Sequence, residues 1–111
     1  MVEDIEEINS KVKEFINKVR NKYKISHVYI YGSFAKGISN KWSDIDLAII
    51  SPDFSDDNFY DRLSLMHIAA SIDDRIEPHP FTSSRFNLND PLVSEICEHG
   101  IQIIWENGFR R

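Results

Sequence analysis

Tyr31-Gly32-Ser33-Phe34-Ala35-Lys36-Gly37, followed after residues 38–42 by Ser43-Asp44-Ile45-Asp46-Leu47, is the stretch on which the fold turns. Residues 27–31 ahead of it are β-branched and aromatic and run straight into Gly32-Ser33, which predicts a strand ending in a tight turn. Over 43–50, Ile45, Leu47 and Ile49 alternate with Asp44, Asp46 and Ala48. That alternation predicts a second strand with one face in the core and another that begins with two carboxylates. Residues two apart on a strand project to the same side, so Asp44 and Asp46 are expected to point together. Clustered oxygen ligands of this kind suit a hard divalent ion such as Mg²⁺, or Mn²⁺ in its place. Gly32 permits a turn that a side chain would obstruct, and Ser33 brings an amide and a hydroxyl that can hold phosphate oxygens. Lys36, inside the turn, is a candidate for a further phosphate contact and equally reads as an ordinary exposed lysine, and Gly37 lets the backbone approach a ligand closely.

An Asp-x-Asp pair alone carries little weight, since ten aspartates in 111 residues yield about one such pair by chance. Requiring Gly-Ser at a fixed distance upstream reduces coincidence to roughly a few in a thousand. In-line phosphoryl chemistry with two ions usually needs a further carboxylate, and residues 74–81 offer one. They read as a third strand, with Ile76 toward the core and Arg75, Glu77 and His79 on the other side. Beside the second strand, Glu77 would lie within a few ångströms of the aspartates. Asp73 and Asp74, at the start of this strand, are its rivals. His79, on the face of Glu77, reads as a hydrogen-bonded neighbour of the acid, with a nucleotide contact as the alternative, and Pro78 and Pro80 confine the strand to an edge or to the end of a ladder.

Outward from this centre the chain reads as packing elements. Ile5, Ile8, Val12, Phe15, Val19 and Tyr23 recur at intervals of three and four, predicting an amphipathic first helix. Glu3, Asp4, Glu6 and Glu7 at its start and Lys18, Arg20, Lys22 and Lys24 at its end match the helix dipole. A second helix is expected after Asp56, Asp57 and Asn58, packing through Phe59, Leu63, Met66 and Ala70, with Arg62 a solvated charge. Asp90 and Pro91 open a short third helix that Gly100 ends, and 101–105 is a short extended run. Trp42 is expected to cover a sheet edge. Together these predict one α+β domain over residues 1–111, a small mixed twisted sheet with helices packed on it.

Composition narrows the function classes. With 13 basic and 18 acidic residues the net charge is −5, which argues against an extended nucleic-acid surface. No apolar run approaches the roughly 20 residues that span a bilayer and the N-terminus is acidic, so a cytoplasmic protein is expected. The single cysteine, Cys97, excludes an internal disulfide; among Leu92, Val93 and Ile96 it reads as a small buried hydrophobe.

Gly32-Ser33, ten residues, then Asp44-Ile45-Asp46 resembles the signature of the polymerase β-like nucleotidyltransferase superfamily, specifically its minimal stand-alone prokaryotic members. The resemblance extends over the whole chain. It implies that Gly32 and Ser33 hold a nucleoside triphosphate, that Asp44 and Asp46 bind two Mg²⁺ ions, and that Glu77 takes the third carboxylate position, where the family more often has Asp. It also implies transfer of a nucleoside monophosphate, AMP from ATP, to an acceptor hydroxyl. Minimal members are often paired with a small helical HEPN-type protein, and some act as antitoxins that adenylylate a tyrosine on it. Two other functions are compatible with the residues: a slow or non-catalytic module that neutralises a helical partner, and modification of a small aminoglycoside-like molecule.

Overall fold

A computed structural model describes residues 5–37, 43–105 and 108–109. Glu3, Asp4 and Trp42, given roles from sequence, lie outside them. The chain runs α1 (Ile5–Arg20), β1 (His27–Tyr31), β2 (Ile45–Ile50), α2 (Phe59–Ala70), β3 (Ile76–Phe81), α3 (Pro91–His99), β4 (Ile101–Trp105) and β5 (Gly108–Phe109). The strands form one five-stranded sheet in the order β3-β2-β1-β4-β5. All neighbours are antiparallel except β2 and β3, which are parallel and joined by α2. The architecture is therefore the small mixed α+β sheet anticipated from the sequence. Among the described residues no helix is long and apolar enough to cross a membrane.

The main core lies between one sheet face and helices α1 and α2. Ile8, Val12, Phe15, Ile16 and Val19 of α1 meet Val28 and Ile30 of β1, Ile45, Leu47 and Ile49 of β2, and Ile76 of β3. Alternation thus sends the other side chains of these strands to the second face. Half of that face is covered: Ala48 and Ile50 pack with Ile96 of α3, against Tyr29, Tyr31, Phe81 and Phe86. Among the described residues no helix packs over the half that carries Asp46, Glu77 and His79. Asp90 caps α3 as expected, its side chain accepting from the Leu92 amide at 2.8 Å, with Gly100 past the end.

β3 is an edge strand, as its prolines require. Ile45 N–H donates to the Arg75 carbonyl and Ser51 N–H to the Phe81 carbonyl, so Arg75 and Phe81 direct their backbone polar groups toward β2. The intervening alternation turns Pro78 and Pro80 outward, where their missing N–H costs no ladder bond. Asn58 Nδ2 donates to the Pro80 carbonyl at 3.0 Å and occupies part of the free edge.

Two packing expectations are corrected. α2 buries Leu65 and Ala69, not the stripe of Phe59, Leu63 and Met66, which are exposed. The helix is apolar around most of its circumference, so spacing alone offered two stripes and only the position of α1 and the sheet selects between them. Cys97 is exposed rather than buried, because α3 turns Val93 and Ile96 inward and sends the next residue outward. Leu65→Ala is expected to cost about 2–5 kcal/mol in urea unfolding, and Leu63→Ala well under 1 kcal/mol. Equal losses would show that the other stripe is the packed one.

Candidate metal and nucleotide site

The centre of the site is the junction of three strands at one end of the sheet. Asp46 is paired with Tyr31 across the antiparallel ladder and with Glu77 across the parallel one. Asp46 and Glu77 therefore stand side by side on the open face. His79, two residues further along β3, shares that face, and its Nε2 lies 3.4 Å from Asp46 Oδ1. One ligand atom from each of Asp46, Glu77 and His79 falls within 4.8 Å of the others. Two carboxylates and an imidazole, half-buried and convergent, form a donor set that fits a divalent cation.

Gly32 shows why the turn needs glycine. Its φ is +74°, and a Cβ there would lie 2.5 Å from Asp46 Oδ2. The turn thus presses directly against the carboxylate. Lys36 N–H donates to the Gly32 carbonyl and Gly37 N–H to that of Phe34, closing a compact turn. Among the described residues no hydrogen bond engages Ser33, leaving its hydroxyl and amide available. A cavity of about 150 Å³ opens beside the turn, lined by Tyr31, Gly32, Ala35, Lys36, Glu95 and His99. Lys36 reaches Glu95 at 3.4 Å across its mouth, an exposed pair that a stronger anion can displace.

The other acids separate by position. Asp44 immediately precedes β2 and is exposed; it is not among the gathered ligand atoms. The sequence placed it level with Asp46, but the ladder begins at Ile45, and Asp44 lies just outside it. Asp73 is committed elsewhere, accepting from Arg75 Nη2 at 2.8 Å and Lys11 Nζ at 3.0 Å, and so ties α1 to the start of β3. The Arg75 guanidinium beside it holds its carboxyl well below the usual carboxylate range, although burial opposes this. Asp74 is exposed and lines a second cavity of about 150 Å³ between α2 and β3, with Arg62, Met66, Ile76, Glu77 and Pro78. Of the three candidates for the third carboxylate, only Glu77 stands beside Asp46.

Two further residues join the site: Tyr31, to which sequence reasoning assigns no role, and His79, which it places on the carboxylate face without a ligand role. Tyr31 closes its β1 side; burial first, then the charges of Asp46 and Glu77, push its phenol up to about 12. His79 packs its ring against Tyr31 at 5.6 Å between centroids. The signal for both was the alternation of the strands, which places them on the carboxylate face once the register is known.

The family model described as polymerase beta, nucleotidyltransferase, matches residues 11–108. Among solved structures, a nucleotidyltransferase from Sulfolobus solfataricus described as putative superposes with a TM-score of 0.61 at 20% identity, over 99% of this chain and 97% of that one. A structure of the toxin–antitoxin pair MntA–HpeT matches with a TM-score of 0.60 at 22% identity, covering 87% of this chain and 72% of the other. A toxin–antitoxin structure with AMP-PNP gives 0.59 at 24% identity, covering 84% and 69%. No curated protein matches the sequence. These likenesses establish the same fold.

Two outcomes test the local geometry. Gly32→Ala and Gly37→Ala should each cost about 1–2 kcal/mol of stability from the left-handed backbone alone. A methyl added at Gly37 would meet nothing within 4 Å, so only Gly32→Ala should also push the Asp46 carboxylate aside and weaken Mn²⁺ binding in a titration. For Asp73, a lowered folded-state pKa means that its contribution is complete above the ordinary carboxylate range near pH 4 and is lost as pH falls below it. Asp73→Asn should be less stable at pH 7 and should flatten the acid limb of the stability profile.

Proposed function

The chain belongs to the polymerase β nucleotidyltransferase family, and on that premise we propose that it transfers AMP from ATP to a hydroxyl on a small helical HEPN-type partner, as an antitoxin. The observation that carries this reading is the Asp46–Glu77 pair pressed against the Gly32 turn. A toxin–antitoxin structure with AMP-PNP and one of a tri-AMPylated Shewanella oneidensis HEPN toxin with an MNT antitoxin share the fold and support the choice of donor and partner. A work place in the cytoplasm, where ATP is abundant, accords with this.

The sheet order supports one direction for the reaction. Gly32 and Ser33 at the end of β1 receive the β and γ phosphates, with Lys36 beside them. Asp46 on β2 stands at the α-phosphate, and Glu77 on β3 lies beyond it. In-line displacement brings the acceptor oxygen from the side opposite the departing pyrophosphate, which is the side of the cleft lined by Arg62, Met66, Glu77 and Pro78. Asp44 and Asp46 would hold two divalent ions, Mg²⁺ or Mn²⁺, with Glu77 as a further ligand to one of them. When bound, such ions neutralise the triphosphate and activate the acceptor hydroxyl. Asp44, exposed and without a hydrogen bond or ion pair among the described residues, is able to turn toward them.

A protein acceptor is favoured over nucleic acid by the net charge of −5 and by the exposed apolar side chains Phe59, Leu63 and Met66, which lead along α2 to the same cleft. The test mixes the protein with a HEPN-type partner, Mg²⁺ and ATP labelled at the α-phosphate. Label should appear on the partner, and Asp46→Asn or Asp44→Asn should lower its rate about a thousandfold while the fold is retained. Tight binding without label in the unmodified pair would leave a neutralising module; label in a low-mass product with an aminoglycoside would move the acceptor class to small molecules.

A further inference from the structure

We infer that His79 is a nitrogen ligand of the metal centre and biases it toward Mn²⁺ over Mg²⁺, an inference that rests on the reading of Asp46 and Glu77 as ligands. The spacing of the side chains carries it. His79 Nε2 lies 3.4 Å from Asp46 Oδ1. That is longer than the 2.7–3.2 Å of an ordinary N–H···O bond. Two donors each about 2.1 Å from one octahedral ion stand about 3.0 Å apart at a right angle, so the pair is within about 0.4 Å of the separation that a shared ion would set. Glu77 completes the group within 4.8 Å, and its long side chain closes the remainder.

The backbone prepares the imidazole for this task. Pro78 and Pro80 flank His79, and each fixes its own φ, so the segment that presents the ring has little freedom to lose. The ring is held from the other side by Tyr31. A structural histidine needs neither the convergence with two carboxylates nor the rigid mount.

The chemistry of the donor sets the consequence. Mg²⁺ demands near-ideal octahedral geometry and gives up its waters reluctantly, whereas Mn²⁺, also at home with carboxylates, begins the first-row series whose affinity for nitrogen-bearing sites rises through Co²⁺ to Ni²⁺. Asp44, Asp46 and Glu77 alone would form an oxygen-only site. His79 makes it a mixed one, so the site accepts Mg²⁺ but holds Mn²⁺ more tightly.

The experiment loads ¹⁵N-labelled protein with Mn²⁺, with and without an unlabelled non-hydrolysable ATP analogue, and records electron spin-echo modulation. A directly bound ¹⁵N should be seen and should vanish in His79→Ala and His79→Gln. Titrations should show Mn²⁺ affinity falling on the order of tenfold in both variants, with Mg²⁺ affinity changed less than twofold. Mn²⁺ bound without ¹⁵N coupling, or bound equally well by His79→Ala, would overturn the inference and leave the carboxylate site standing. Mn²⁺ binding that is absent, or unaffected by Asp46→Asn, would overturn the reading of the site itself. Circular dichroism of each variant separates loss of the ligand from loss of the fold.

Discussion

The parallel pairing of β2 with β3 is the constraint on which the site depends, because it alone sets the Asp46 carboxylate beside that of Glu77. Two acids separated by 31 positions in the chain meet because α2 carries the chain back across the sheet. Their register is enforced from the opposite face. Ile45, Leu47 and Ile49 of β2 and Ile76 of β3 are buried against the helices. A slip of one residue in either strand would turn its carboxylate into that core and expose its hydrophobic set. The apolar face therefore positions the polar one, and the energy that orders the site is mostly hydrophobic burial.

The second sheet face shows how one small chain divides packing from chemistry. Where α3, Phe81 and Phe86 cover it, Ala48 and Ile50 occupy the β2 positions that face them. Two residues toward the start of the strand, the same alternation presents Asp46 to the open part of the face. The change from apolar to acidic along one strand thus follows the edge of the covering helix. Tyr31 lies at that boundary, buried enough for its phenol to be held neutral far above its ordinary range. The nucleotidyltransferase reading follows from this arrangement: a turn suited to phosphates at the end of β1, a carboxylate on β2, and an acid and an imidazole on the edge strand.

Much of this was legible in the order of residues. The Gly32-Ser33 turn, the alternation over β2 and the edge position of β3 all come from local rules with one strong solution, since a φ of +74°, a two-residue period and a missing N–H each admit few alternatives. The helices were less uniform. α1 has a single apolar stripe and its spacing picks out Ile8, Val12, Phe15 and Val19, although it runs on to Tyr23, past the end of the helix at Arg20, whereas α2 has apolar residues on several sides and spacing does not single out its buried pair, Leu65 and Ala69. Cys97 went the same way, apolar by its neighbours yet turned outward by the rotation of α3.

For the site, the sequence by itself determined which residue types stand where the proposed chemistry needs them: Asp44 and Asp46 after a glycine-serine turn, and Glu77 on a later strand. It also determined that Asp46 and Glu77 share a face with their neighbours two residues away, because strand alternation is a property of the backbone. Only the tertiary structure decided which of them converge. It set Asp73 on Arg75 and Lys11, left Asp44 outside the ladder, and brought His79 to Asp46. Those outcomes depend on which strand lies beside which and where the ladder begins, and that is settled by burial summed over the whole core.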